Sequence, residues 1–287
     1  MKTDAKTMTA KNSLISLNYK CNAKCSFCYL KDKQIEELDT ETWKSIIDQL
    51  KGFKSLVILG GEPLLRNDLY EIVTHAKKVG IKKIAISTNS YLLTDEIIQK
   101  FGQDVVWQIS LDYFSTKHDK VRGLSIFKKA MSLVKKHPNL VVRTTIMNDN
   151  LRDCFQFIDW TKNNNRLWEG VFLKGDKPVK QGIKKRVIQK SWGHGMMIRD
   201  PPYIIKYLEQ VNKENMNSLL DSGVVCPAGI RRIHINPLGE VNPCHFMQNI
   251  SFGNILKQDF ATLLKKAEEW ALQNIPQNYK ACRLENE

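Results

Sequence analysis

No apolar run in the 287 residues approaches the roughly 18 positions that a membrane-spanning helix needs. The opening stretch, MKTDAKTMTAKNS, is polar with scattered lysines and lacks the apolar core of a secretory signal. Acid is also scarce: 30 Asp and Glu against 44 Lys and Arg leave a net charge of +14, which suits an acidic partner. No internal repeat or low-complexity tract stands out. These absences point to a cytoplasmic chain without membrane attachment, where thiols stay reduced. Its seven cysteines are then metal ligands or catalytic groups rather than disulfides. At 42% hydrophobic and 26% charged residues, the chain can bury one sizeable core and carry an appendage.

From Ser13 onward, short β-branched runs alternate with amphipathic segments, the pattern of repeated β-α units on a parallel sheet. Strands are expected at 13–19, 55–60, 83–89, 104–112, 140–147 and 170–174, and helices at 41–51, 67–79, 94–100, 123–137 and 151–163. Six units make an α/β fold of the partial (β/α)6, TIM-like barrel kind. In such folds the chemistry gathers where strands end. The triple cysteine follows strand one, Gly60-Gly61-Glu62-Pro63 follows strand two, STNS (87–90) closes strand three, and SLDYF (110–114) closes strand four.

The pattern changes after Gly175. The division expected is a flexible N-terminus (1–12), the barrel (13–175), a basic linker or loop (176–200) and a small hairpin-plus-helix extension (201–287). Within it, 191–203 reads as a Gly- and Pro-rich loop, 203–221 as a helix, and 231–246 as a hairpin turning at Pro237-Leu238-Gly239. A last helix fits 257–273. Between Lys174 and Lys190 there are seven basic residues and one acid; the stretch reads as a solvated lysine-rich loop or, since it follows strand six, as a face at the barrel opening that recruits an acidic substrate.

Cys21, Cys25 and Cys28 lie within eight residues, with the aromatic Phe27 before the last. A structural zinc site wants four ligands, usually as two separated pairs, and no fourth Cys or His follows until His75 on a predicted helix. A [4Fe–4S] cluster is ordinarily closed by four thiolates; held by three, it keeps one iron open for a ligand that is not protein.

On these residues the chain resembles the radical S-adenosylmethionine (radical SAM) enzymes, whose signature is C-x3-C-x-aromatic-C on the loop after strand one. The resemblance covers roughly 13–175. It implies that S-adenosylmethionine chelates the open iron and that an electron, from a reductant such as flavodoxin or ferredoxin, releases a 5′-deoxyadenosyl radical that takes hydrogen from substrate. It further implies that Gly60, Gly61, Glu62 and Pro63 receive the methionine ammonium. Thr88, Asn89 and Ser110 would contact ribose and carboxylate, and Arg143, inside an apolar strand, would pair with the cofactor carboxylate. SLDYF…HDKVRG (110–123) resembles a further family segment, with Tyr113 where a glycine is usual.

The later cysteines resemble the SPASM or twitch extensions, in which a cysteine, a hairpin and G-x4-C (here Gly239 and Cys244) hold an auxiliary cluster. Only Cys282 follows. Cys226, Cys244 and Cys282 would then hold one further [4Fe–4S] cluster with an open iron or a non-cysteine ligand, His245 or Glu285. Alternatively, Cys226 or Cys282 is a free thiol that returns hydrogen to a substrate radical. Cys154, at helical spacing with Phe155 and Ile158, reads as buried.

Three functions are compatible with this pattern. The first is modification of a ribosomally made peptide by epimerisation, cross-linking or oxidation. The second is oxidation or rearrangement of a small molecule such as an aminocyclitol, sugar or nucleotide. The third is a non-catalytic iron–sulfur protein that carries electrons or binds RNA; no RNA-binding signature is visible and nucleic acid is not the expected partner. Twenty residues before Cys21 are too few for a fused peptide-recognition domain, so a peptide would be recognised at the barrel mouth or by a separate protein.

Overall fold

A computed structural model describes residues 12–30, 35–174, 178–191, 197–198, 228–229 and 232–274. In chain order the barrel elements are β1 (Asn12–Ser16), α1 (Thr40–Gln49), β2 (Ser55–Leu59), α2 (Leu69–Lys78), β3 (Lys83–Thr88), α3 (Asp95–Phe101) and β4 (Val105–Ser110). Then come α4 (Lys117–Arg122), α5 (Phe127–Lys136), β5 (Leu140–Ile146), α6 (Leu151–Asn163), β6 (Leu167–Phe172), α7 (Gln181–Ser191) and β7 (Met197–Ile198). The C-terminal part contributes β8 (Arg232–Ile235), β9 (Glu240–Asn242), β10 (Gly253–Asn254) and α8 (Phe260–Asn274). Cys226, Cys282, Glu285 and the helix expected over 203–221 lie outside the described residues.

The described strands form one sheet in the order β10-β9-β8-β1-β2-β3-β4-β5-β6-β7. From β1 to β7 each neighbouring pair is parallel, so the sheet is the open, partial-barrel arrangement that the β-α alternation implies. Strand β5 shows how the two faces divide. Val142, Thr144 and Ile146 are fully buried on the helix side, while Arg143 and Thr145 alternate onto the opposite face and line a cavity. The helices start where their sequences supply caps: the Asp39 carboxylate accepts from the Thr42 amide at 2.7 Å, and α1 then buries Trp43, Ile46 and Ile47 at helical spacing. Among the described residues no helix is long and apolar enough to cross a membrane.

Three elements differ from expectation. Strand six runs 167–172 rather than 170–174, and the helix expected over 123–137 is the shorter α5, preceded by an unexpected α4 over 117–122. Gly123, with φ +63°, terminates α4, a position that favours glycine, and Asp119 restarts the chain by accepting from the amides of Ile126 and Phe127 at 2.9 and 2.7 Å. The third is the basic stretch. Much of it is α7, and three of its cations have partners in the fold: Lys184 is buried with its ammonium 5.8 Å from the Phe172 ring, Arg186 lies 5.7 Å from the Phe155 ring, and Lys190 reaches Asp159 at 2.6 Å. Among the described residues of 174–190, Lys174 alone lines the cavity.

The C-terminal hairpin continues the barrel sheet. Strand β8 runs parallel to β1, with Asn12 opposite Arg232 and Ile15 opposite Ile235, and β9 returns antiparallel. The turn is made by Asn236, whose Oδ1 accepts from the amides of Leu238 and Glu240 at 2.9 and 3.0 Å, and by Gly239 at φ +80°. A buried polar relay crosses the join: Ser16 Oγ meets His234 Nε2 at 2.9 Å, and His234 Nδ1 meets Asn242 Oδ1 at 3.3 Å.

Because that relay is buried, removing its central ring strands polar groups on both sides, at a cost of about 1–3 kcal/mol. His234→Ala is therefore expected to lower the denaturant midpoint of the whole domain in a single transition. A change under about 0.5 kcal/mol, the size of an ordinary surface substitution, would show that the hairpin is not held through this bond.

Candidate active site

The loop bearing Cys21, Cys25 and Cys28 begins where β1 and β2 stop pairing, and the GGEP segment extends that pairing. The Gly61 amide donates to the Asn18 carbonyl at 3.0 Å, the Glu62 amide to the Lys20 carbonyl at 2.8 Å, and Asn18 Nδ2 to the Glu62 carbonyl at 3.0 Å. A Cβ on Gly60 would stand 2.4 Å from the Asn18 carbonyl oxygen, and one on Gly61 would stand 2.1 Å from that of Lys20. The close approach that requires glycine here is thus to the chain's own backbone, one residue before Cys21. Gly60 and Gly61 also line the cavity, whereas Glu62 is fully buried beneath it.

Glu62 ties this loop to the end of β3. Its carboxylate accepts from Thr88 Oγ1 at 2.7 Å, the Asn89 amide at 2.8 Å and the Leu64 amide at 3.1 Å. Burial pushes its carboxyl above the usual range even though these donors favour the charged form. The Asn89 side chain continues the link by donating to Asn22 Oδ1 at 2.7 Å, with Cys21 Sγ 4.0 Å away. Pro63 opens a short 3-10 turn and is buried.

From the other side the cysteine loop leans on the end of α4. The Lys24 amide donates to the Arg122 carbonyl at 2.8 Å and the Ser26 amide to the Val121 carbonyl at 3.0 Å. A Cβ on Gly123 would meet Lys24 Cβ at 3.1 Å. Arg122 is buried, donates through Nε to Asp112 at 2.8 Å, and lies 5.6 Å from the Phe27 ring. Phe27 therefore seats the loop on this guanidinium. Burial pushes the Cys25 thiol up to about 11, with Arg122 pulling it the other way. Tyr113 is packed inside, its hydroxyl donating to Asp149 at 2.9 Å, so the loop accommodates a large side chain at that position.

Arg143 lies on the inner face of β5, opposite Ser110 on β4 and Glu169 on β6. Its Nη1 donates to Gln108 Oε1 at 2.7 Å and Ser87 Oγ at 3.0 Å, and the buried Glu169 carboxylate is 3.7 Å away. Gln108 Nε2 bonds Glu169 at 3.0 Å. The guanidinium expected to meet a cofactor carboxylate thus already has one protein carboxylate beside it. Gln108 and Glu169 went unread in the sequence, and Ser87 was read only as part of the STNS strand end, although each is a polar residue at an inward position of a largely apolar strand, the same signal that marked Arg143.

The opposite wall comes from the extension. His245 and Phe246 line the cavity and stack at 4.0 Å, and Tyr29, directly after Cys28, approaches them at 6.0 and 5.2 Å between ring centroids. Tyr19 bonds Gln248. Cys244 stands beside His245, with Sγ 3.6 Å from Nδ1. Cys154 is fully buried in α6.

The cavity measures about 1260 Å³, above the ~300–1,000 Å³ of ordinary small-molecule pockets. Of the expected site residues, Cys21, Cys25, Phe27, Cys28, Gly60, Gly61, Thr88, Asn89, Ser110 and Arg143 line it. Among the described residues no three Cys, His, Asp or Glu side chains converge on a point that would hold a single ion. Three thiols around one cavity suit the separate corners of a multi-iron cluster, each of which takes its own ligand.

Gly61→Ala would force the Lys20 carbonyl aside and move the start of the cysteine loop. Iron retained after anaerobic reconstitution is expected to fall several-fold, while Gly182→Ala in α7, where a Cβ meets nothing within 4 Å, keeps the wild-type content. Full iron in Gly61→Ala would contradict the role given to this backbone contact.

Comparison with known proteins agrees with the geometry. Residues 15–160 match the Radical SAM superfamily and residues 226–284 match SPASM, an iron–sulfur cluster-binding domain. The chain is 28% identical to Fe-coproporphyrin III synthase of Methanosarcina barkeri over 86% of its own length and 72% of that protein's. It is 25% identical to the antilisterial bacteriocin subtilosin biosynthesis protein AlbA of Bacillus subtilis, over 88% of its own length and 59% of that protein's. Its fold matches Streptococcus suis SuiB bound to precursor peptide SuiA with TM-score 0.75 at 18% identity, covering 90% of this chain and 65% of that one. For SuiB bound to S-adenosylmethionine the TM-score is 0.77 at 16% identity, covering 97% and 72%. The chain thus spans roughly three-fifths to three-quarters of the length of these proteins. The three-cysteine loop, the sheet that carries it and both sequence matches make this chain a radical SAM superfamily enzyme with a SPASM-type C-terminal extension.

Proposed function

We propose that the enzyme reductively cleaves S-adenosylmethionine at a [4Fe–4S] cluster held by Cys21, Cys25 and Cys28, and uses the radical to modify a ribosomally made peptide. The observation that carries the first half is the arrangement of three thiols around one cavity, with Gly60–Gly61, Thr88, Asn89, Ser110 and Arg143 on its rim. When bound, the cluster and cofactor together supply a 5′-deoxyadenosyl radical, and the chain's own residues do the rest.

Asn89 and Ser110 offer hydrogen bonds to ribose and carboxylate, and Arg143, steadied by Gln108 and Ser87, offers charge to the carboxylate. The backbone beside Gly60 and Gly61 leaves room for the methionine ammonium. Arg122 offsets the negative charge that builds up when the thiols bind iron.

The peptide assignment is supported by the names of AlbA and of SuiB with its precursor peptide, and by a cavity whose extension-side wall, Tyr29, His245 and Phe246, suits a side chain rather than a phosphate. The small-molecule alternative is supported by relatives such as Fe-coproporphyrin III synthase. Part of one of its grounds is weakened, because Lys184, Arg186 and Lys190 pack on Phe172, Phe155 and Asp159, which leaves Lys174 of the basic stretch on the cavity.

Reconstituted, dithionite-reduced protein is expected to form 5′-deoxyadenosine from S-adenosylmethionine, and Cys21→Ala, Cys25→Ala or Cys28→Ala is expected to abolish it. A reduced, iron-loaded wild type that yields none with peptide or small-molecule candidates would overturn the reading. Mass spectrometry of a short peptide encoded beside the gene, before and after incubation, separates the two substrate classes.

A further inference from the structure

Both arginines on the cavity wall have a buried carboxylate beside them, but the two pairs are built differently. Arg122 donates straight to Asp112 at 2.8 Å. Arg143 stands 3.7 Å from Glu169, beyond a good hydrogen bond, and Gln108 bridges the two. The Gln108 Oε1 accepts from Arg143 Nη1 at 2.7 Å, while its Nε2 donates to Glu169 Oε2 at 3.0 Å. The Glu169 side chain is 0% exposed and sits opposite Arg143 in the β5–β6 register, whereas Arg143 still lines the cavity. Gln108 Nε2 needs only an acceptor, and a neutral amide at position 169 would supply one. Burying a carboxylate costs far more than burying an amide, so the bond to Gln108 does not by itself call for a charge here.

We propose that Glu169 is a positioning residue that acts through Arg143: it holds part of the guanidinium's charge back from the cofactor carboxylate. S-adenosylmethionine, and the methionine left when it is cleaved, are then bound less tightly than by an arginine without that neighbour. This deepens the proposed function and rests on its placing of Arg143 at that carboxylate. A guanidinium that already has one carboxylate beside it presents a weaker field to a second anion, and the two carboxylates repel each other across it. At 3.7 Å, with an amide between, the charge is tempered rather than cancelled. A tempered clamp lets methionine leave between turnovers, where full charge would retain it.

The test is equilibrium binding of S-adenosylmethionine to reconstituted, unreduced full-length protein, in which the cofactor is not cleaved. Glu169→Gln removes the charge and keeps an acceptor for Gln108. Its dissociation constants for S-adenosylmethionine and for methionine are expected to fall several-fold at unchanged iron content. With decarboxylated S-adenosylmethionine, which has no carboxylate to offer Arg143, variant and wild type should bind alike. Combining Gln108→Glu with Glu169→Gln moves the charge to the group that accepts from Arg143 at 2.7 Å, nearer the guanidinium, and affinity for S-adenosylmethionine should drop below that of wild type. This double variant carries the test if Glu169→Gln alone does not hold its cluster; binding as tight as wild type or tighter would overturn the proposal. Unchanged or weaker binding by an iron-loaded Glu169→Gln would overturn it as well, and would leave Glu169 as a support for the fold. An Arg143→Gln variant that binds the cofactor as wild type does would instead remove the placing of Arg143, an outcome distinct from both.

Discussion

The contact on which the rest of the site depends is a backbone ladder between Asn18–Lys20 and Gly60–Glu62. It exists because neither glycine has a Cβ to push the carbonyls of Asn18 and Lys20 away. It fixes the point at which the chain leaves β1 and becomes the cysteine loop. Glu62 extends the same constraint sideways by using its buried carboxylate to hold Thr88 and the Asn89 amide. Strands one, two and three thus end on one shared network, and a displacement of any of them moves the first thiol.

A second clamp works by charge. Burying the Arg122–Asp112 pair is costly unless geometry compensates, and breaking such a pair from one side typically costs about 3–5 kcal/mol. Its placement under Phe27 and beside Cys25 gives the guanidinium two uses: a platform for the loop and, in the proposed role, a positive charge near thiols that lose protons on binding iron. The aromatic position of the cysteine signature and the arginine of the HDKVRG segment therefore form one physical unit, though 95 residues separate them in sequence.

The cysteine loop, the β-α alternation and the hairpin were legible because each is local: spacing of three thiols, period-two strands separated by helices, and an Asn-Pro-Leu-Gly turn. What escaped depended on distant partners. Gly123 reads as a helix start in sequence, yet it ends α4 because its positive φ and missing side chain let Lys24 pack against it. The basic run at 174–190 reads as a solvated loop or as a substrate-recruiting one, but Phe172, Phe155 and Asp159 give Lys184, Arg186 and Lys190 partners that no local pattern announces. Glu169 and Gln108 were visible as polar residues in apolar strands; their role beside Arg143 needed the parallel register of β4, β5 and β6. Nor does a hairpin motif reveal that β8 joins the sheet beside β1, since parallel pairing across more than two hundred residues leaves no trace in spacing.

The central claim is that three thiolates leave one iron for the amino and carboxylate groups of S-adenosylmethionine. It is tested most directly by ENDOR on the reduced enzyme with cofactor labelled by 15N at the amino group and 17O at the carboxylate. The account predicts hyperfine coupling of both labels to the cluster that Cys21, Cys25 and Cys28 hold. A reduced cluster whose spectrum shows neither coupling at saturating cofactor would contradict it.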